Sequence, residues 1–571
     1  MKTKEKRWSY FLILALAAYV IKNFFVGADA DEGYAVVLGY RFAMGDRLLL
    51  EMWEPHQTSA IFTGLLMKPF LWNRGENLDF LTLYLRVFYF VIHGSIAWLV
   101  YRTVRKCAPQ VDQKGALGLA LVYFVSSPKS IYIPEYSNLN VWFFALLCVS
   151  LFWYYSETSP LRGKLFLLVA AGLALTCDVL AYPSMAILFP FCFCFLAWKQ
   201  RQKGWKQCLA FTTPCVLSAT VLMGYILSYM SFEQIMQVIP HIMSDGSHQT
   251  SFWEKLKFWF SSFGDMACVL LISAVVAFVA AKLFCRLHKK RKTEEEKEIF
   301  GIYFLIAFFI MQIVFQFYFW FTSLYNASYP QLTYLAVTLV GIYFYYKSGK
   351  KEKMGFYIIL LSLIQYFGVI MLSNWEPMQV VSYMVVGAIG GFLCWNTYFM
   401  EYSVKWKEQL LHILCGLLVI SNVFGYCYLI IGGSESNSPI WEISGYSRDG
   451  FRKGILTGYM ASYRYNMNNV ICEEAVPDGS TLLYVGPLQF YSMFGECTIA
   501  SPNTISTPMY DENLLAYWEM NPDRYPDIVV IESWFGKIDY VDEDSFIMKW
   551  LEEEFCATEI IEYPYITVYK K

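Results

Sequence analysis

The chain has 571 residues, 57% of them hydrophobic and only 16% charged, where ordinary soluble domains carry about 25% charge. Repeated apolar runs near the ~20 residues of a membrane span exclude a string of soluble domains. Collagen, coiled coil and disorder are excluded too, because no glycine period, heptad or polar low-complexity tract is present. The net charge of -2 hides an asymmetry: from Trp441 onward 21 acids face 9 bases, leaving the first 440 residues net basic.

The start, Met1 to Arg7, is basic, and Trp8–Val26 is apolar enough to span. Ala28-Asp29-Ala30 has the look of a signal cleavage site, but the long apolar run and Lys22-Asn23 near its end favour an anchor. Further spans are expected near 80–101, 114–128, 139–155, 164–182, 184–198, 207–229, 263–285, 300–319, 329–346, 355–372, 378–400 and 409–431, about thirteen with the first. Every even-numbered span is followed by Lys and Arg, as in Arg102, Arg105 and Lys106 or Lys347 to Lys353. The intervening loops are nearly free of both. By the positive-inside rule the amino terminus is cytoplasmic and the acidic tail extracytoplasmic, in a plasma (inner) membrane. The expected fold is an α-helical polytopic membrane domain over 1–435, with a first outer loop at 27–79, and a small soluble α/β domain over 436–571. In that loop Asp31–Gly45 reads as an amphipathic helix, and Pro55–Trp72 as a stretch that stays in the outer interface without crossing. In the tail, 481–486 and 527–532 read as buried strands, 511–520 and 544–555 as helices, and 560–569 as a last strand.

The 15 cysteines lie mostly in apolar runs and act as small hydrophobes; no zinc spacing appears. Ionisable groups inside spans are few, and such groups point to function by default. Arg86 is near the outer end of its span and is read as snorkelling, His93 as a neutral packing residue, and Asp178 as either a local cap or a functional group. Acids collect instead at the outer face, in Asp29-Ala30-Asp31-Glu32-Gly33-Tyr34 and in Glu51-Met52-Trp53-Glu54-Pro55-His56. For Asp29, Glu32 and Asp46 helix capping is an equal alternative to function. Glu135, in Ser127-Pro128-Lys129-Ser130-Ile131-Tyr132-Ile133-Pro134-Glu135, either caps a helix or shares an outer pocket with Asp31.

Asp31-Glu32-Gly33-Tyr34, about a dozen helical residues, Gly45-Asp46 and then Glu54-Pro55-His56 resemble the first outer loop of the C superfamily of membrane glycosyltransferases. That group includes protein O-mannosyltransferases and the lipid A aminoarabinose transferase. Asn326-Ala327-Ser328-Tyr329-Pro330 is loosely similar to a later outer loop. Glu54 stands where relatives often have Lys, and Gln57-Thr58-Ser59 where many have prolines. The resemblance implies inverting transfer of a sugar from a polyprenyl-phosphate carrier to an outer glycan, lipid or protein acceptor. Asp31 would be the base, and Lys129 heads the candidates, with Arg41, Arg47, Arg86 and Lys68, to steady the phosphate. Glu32, Tyr34, Glu54, His56 and Glu135 would bind or position substrate, and Trp53 and Tyr34 would stack on sugar faces. No cofactor is implied; Asp31-Glu32 would suit a divalent ion, but no complete ligand set is visible. No nucleic-acid partner is expected. A lipid-linked-sugar transporter or polysaccharide polymerase is the alternative, though no internal repeat or midplane polar cluster supports it. A non-enzymatic receptor is a third, for which about thirteen spans are excessive.

Overall fold

The structure is a computed structural model. It describes residues 2–75, 77–156, 161–199, 205–243, 252–287, 293–322, 331–373, 375–400, 407–432, 437–486, 493, 497–504, 511–532 and 545–571. The 326–330 pattern lies outside these residues.

Helix α1 (Lys2–Phe25) is followed by two first-loop helices, α2 (Ala30–Met44) and α3 (Ala60–Arg74). Then come α4 (Leu81–Cys107), α5 (Gln113–Phe124), α6 (Tyr136–Ser156), α7 (Leu161–Ala181), α8 (Leu188–Lys199), α9 (Trp205–Leu227) and α10 (Phe232–Met243). The second half of the bundle is α11 (Phe252–Leu287), α12 (Thr293–Thr322), α13 (Leu332–Lys347), α14 (Lys353–Leu372), α15 (Val385–Phe399) and α16 (Lys407–Tyr428). Eight of them, α4, α6, α7, α9, α11, α12, α14 and α16, contain a segment long and apolar enough to cross a bilayer. Tyr10–Phe25 and Pro183–Ala197 are shorter apolar helices. The chain is a multi-pass membrane protein. Its α3 has 15 residues and rises about 22 Å, short of a ~30 Å hydrocarbon core. This helix packs on α2 through a close crossing: a Cβ on Gly64 would lie 2.8 Å from the Gly39 carbonyl oxygen.

The ionisable groups singled out inside spans, Arg86, His93 and Asp178, are all buried and partnered. Arg86 does not snorkel but turns inward to Glu32. His93 accepts from Trp142 Nε1 (2.8 Å) and its Nε2 faces the Tyr123 carbonyl (3.1 Å), the pattern of a neutral ring protonated on Nε2. Asp178 accepts from Asn140 Nδ2 (2.8 Å), whose own oxygen accepts from Gln365 (2.7 Å), tying α7, α6 and α14 together.

The tail carries α17 (Tyr459–Ala475), α18 (Asp511–Met520) and α19 (Phe546–Trp550) around a five-stranded sheet. Strand order is 498–499, 481–485, 528–532, 566–570, 559–563; the first three are parallel and the last two antiparallel. The single strand expected at 560–569 is a hairpin of Glu559–Tyr563 and Ile566–Lys570. Pro564 lies between them and has no N–H to give a ladder. Tail and first loop form one packed body. Fully buried Arg41 reaches the carbonyls of Glu51 (2.5 Å) and Ser501 (3.1 Å) and pairs with Asp46 (2.8 Å).

Candidate active site

Two segments build the site. The first is the amino end of α2. Asp29 adopts an extended backbone and its side chain accepts the Asp31 N–H (2.8 Å), a standard N-cap that fixes Asp31 in the first helical turn. The second is the loop between α5 and α6, residues 125–135, buried along its whole length. Such a loop survives only if its backbone groups find partners. Here the Pro128 carbonyl accepts from Ser382 (2.9 Å), Pro134 from Thr63 (2.5 Å) and Ser127 from Tyr426 (3.0 Å). Asn138 Nδ2 donates to both Ile131 and Ile133 carbonyls (2.9 Å each). Ser130 has φ +58, so the loop turns sharply at its tip and presents Lys129.

Lys129 Nζ lies 2.9 Å from Asp31 Oδ2. The lysine side chain is 7% exposed and the aspartate side chain 34%, so a buried cation backs a carboxylate that solvent still reaches. Lys129 also donates to the Tyr136 hydroxyl and sits 4.6 Å and 5.0 Å from the ring centres of Tyr136 and Trp375. His56 stacks flat on Tyr136 at 4.2 Å and leans on Tyr182 at 4.7 Å. Tyr34 meets Tyr136 edge-on at 6.2 Å. Glu135 caps α6, accepting the N–H groups of Ser137 (2.8 Å) and Asn138 (2.7 Å), and it remains within electrostatic reach of Lys129 and Asp31.

Burial would lower the Lys129 ammonium, but the negative charge of Asp31, then the facing phenols and Glu135, hold it well above the usual lysine range. Burial pushes the Glu135 carboxyl up to about 7, against the pull of Lys129. Asp29 goes up to about 7 as well, through burial and then the charge of Asp31. Near neutral pH the cluster therefore holds one firm cation, and Asp29 and Glu135 are partly protonated.

Asp31, Tyr34, His56, Lys129 and Glu135 thus come together. Other sequence candidates do not. Glu32 points the opposite way and forms a two-pronged pair with Arg86 (2.9 and 2.7 Å), both side chains 2% exposed. Glu54 is buried beneath the tail, accepting the Thr504 N–H and a hydrogen bond from Tyr34; burial raises its carboxyl. Trp53 is buried as well, stacked on His241 at 5.1 Å, so no sugar can reach its face. Of the other phosphate candidates, Arg41 and Arg86 are spent on buried carbonyls and carboxylates, and Arg47 is paired with Glu51. Sequence reasoning passed over Tyr136 and Trp375. The first directly follows Glu135, and the second lies in a loop, 373–377, nearly devoid of Lys and Arg; both signals were present.

Apolar cavities open among the spans. One of about 670 Å³ lies between α11, α12, α13 and α15, and one of about 440 Å³ between α6, α8 and α14. Asp31 and Lys129 line neither. Among the described residues no group of three or more His, Cys, Asp and Glu could hold a metal ion.

No known family profile matches the chain, and no curated protein does. Solved structures similar to it include ArnT from Cupriavidus metallidurans bound to undecaprenyl phosphate, at 11% identity and a TM-score of 0.43, covering 98% of this chain and 97% of that one. The apo state of the same protein has 12% identity and a TM-score of 0.41, covering 99% and 98%. An Archaeoglobus fulgidus oligosaccharyltransferase in complex with Zn and sulfate has 10% identity and a TM-score of 0.46, covering 91% of this chain and 67% of that one.

Proposed function

We propose that this chain is a membrane glycosyltransferase that moves a sugar, with inversion, from a polyprenyl-phosphate carrier to an acceptor on the extracytoplasmic face. The observation that carries the reading is the pairing of a solvent-reachable carboxylate, Asp31, with a buried ammonium, Lys129, flanked by the rings of Tyr136 and Trp375. Each half suits one side of the reaction. A phosphate at the headgroup level needs a desolvated cation, and a charge-assisted contact from ammonium to phosphate is strong where water is excluded. An acceptor hydroxyl needs a carboxylate within hydrogen-bond reach.

In the resting site the two neutralise each other. An arriving donor phosphate competes for Lys129 and frees Asp31. The acceptor oxygen then bonds to the anomeric carbon as that carbon's bond to the phosphate oxygen breaks. The electron pair leaves with the polyprenyl phosphate, and the acceptor proton passes to Asp31. Trp375, half-buried beside Lys129, keeps ring surface for a sugar, while buried Tyr136 and His56 stack on each other and support the lysine from behind. The basic clusters after alternate spans support an amino terminus in the cytoplasm and a site facing outward.

The test is to incubate purified, folded protein with a panel of labelled polyprenyl-phosphate sugars and to follow label leaving the lipid. Consumption of one donor, with inverted configuration in the product, supports the reading. A folded preparation that consumes none of them overturns it.

A further inference from the structure

The strap that leads into α2, residues 26–29, is fastened from outside by the far end of the chain. Gly27 donates to the Leu456 carbonyl (2.9 Å) and Ala28 to that of Ile431 (3.0 Å). The crossing leaves no room for side chains: Gly432 has φ +61, and a Cβ there would stand 2.3 Å from the Ala28 carbonyl oxygen. Beside it, Arg452 Nη2 donates to the Asp29 carbonyl (3.1 Å). That same carbonyl accepts Gly33 N–H (3.3 Å), the first bond of α2, while the Asp29 carboxylate accepts from Asp31. Arg452 is 8% exposed and its guanidinium lies 5.7 Å from the ring centres of both Phe451 and Tyr465. The Tyr465 hydroxyl accepts the Arg452 N–H (3.1 Å). A side chain 423 residues away is thereby locked onto the residue that caps the Asp31 turn.

We infer that Arg452 is a positioning residue for Asp31: the tail domain, through this guanidinium, sets the aim of the first turn of α2. The inference rests on the proposed role of Asp31 as base. Its physical ground is that catalysis needs the carboxylate placed to within about an ångström, and a displacement of that size costs about 10²-fold. An isolated helical turn cannot hold such a placement alone, because its first N–H groups have no acceptor within the helix. Arg452 touches no reacting atom and meets the Asp31 turn at the Asp29 carbonyl.

The test uses the full-length chain in lipid nanodiscs, with Arg452→Met, which keeps the stem between the two rings but removes the donor, and Arg452→Lys, which restores one donor. Two readouts are taken. Hydrogen exchange at the amides of residues 31–34 is expected to rise about tenfold in Arg452→Met, as for loss of one charge-assisted hydrogen bond, with other peptides unchanged. For the donor that the wild-type protein consumes, kcat is expected to fall about ten- to a hundredfold with KM within about twofold, and Arg452→Lys to recover part of both effects. Unchanged exchange at 31–34, or wild-type kcat in a folded Arg452→Met protein, overturns the inference. So does a fall in kcat that only tracks the fraction of folded protein. If Arg452→Met cannot be purified, Arg452→Lys decides, since wild-type exchange and wild-type kcat in that variant overturn it equally. If the wild-type chain consumes no donor, the enzymatic reading fails while the exchange result still reports whether Arg452 holds the turn.

Discussion

Replacing Arg86 by Met removes one half of a fully desolvated ion pair. Arg86 makes two bonds to Glu32 and three to backbone carbonyls, those of Asn23 (3.2 Å), Phe24 (2.9 Å) and Gly27 (2.6 Å). These carbonyls belong to the end of α1 and the strap that enters α2, so one guanidinium binds α1, α2 and α4 at a single point. Breaking such a pair by deleting one partner costs about 3–5 kcal/mol, because the surviving carboxylate is left buried and unpaired. Glu32→Gln with Arg86→Met removes the stranded charge, so the double variant is expected to recover about half of that loss, with a coupling of at least about 2 kcal/mol in magnitude. The assay is denaturant unfolding of the four proteins of the cycle in one detergent. An Arg86→Met protein within about 1 kcal/mol of wild type, or additive losses, would refute the reasoning, because either result means that the pair is not desolvated.

Folding stability should fall as pH rises from about 4.5 to about 7. Glu135 binds its proton more tightly folded than unfolded, so the native state's proton excess is lost across that window. Glu135→Gln should flatten this part of the curve, and an unchanged slope counts against a raised Glu135. Ser130→Gly should leave stability unchanged or improve it slightly, whereas Ser130→Val should cost about 1–2 kcal/mol, since φ +58 suits glycine and penalises a β-branched residue. Thermal melts of both compare the two directly. Gly432→Ala should destabilise by more than about 1 kcal/mol, because the new Cβ meets the Ala28 carbonyl in a left-handed backbone; a neutral effect would show that the strap can shift.

Much of the membrane domain was legible because apolar runs and basic clusters report the solvent directly. The helix at 31–45 announces itself by Asp29 before it and Gly45 after it, and the structure closes it at those residues. The tail strands at 481–485 and 528–532 were equally plain, being continuous apolar runs in an acidic segment. What could not be read was direction. Asp31 and Glu32 are neighbours in sequence, yet the 100° turn between successive helical residues sends one to Lys129 and the other to Arg86. One partner of Glu54, the Thr504 N–H, lies 450 residues away, a pairing that no local pattern encodes. Helix α17, 459–475, escaped notice because tyrosines and asparagines break its apolar period.

The central claim is a division of labour, with Lys129 serving the phosphate and Asp31 the proton. Its most direct measurement is single-turnover release of labelled sugar from the polyprenyl donor, beside donor binding, for Asp31→Asn and Lys129→Met. The account predicts that Asp31→Asn binds donor as well as wild type or better and transfers about 10²–10⁴-fold more slowly, while Lys129→Met loses donor affinity. Wild-type transfer by a folded Asp31→Asn protein would contradict it.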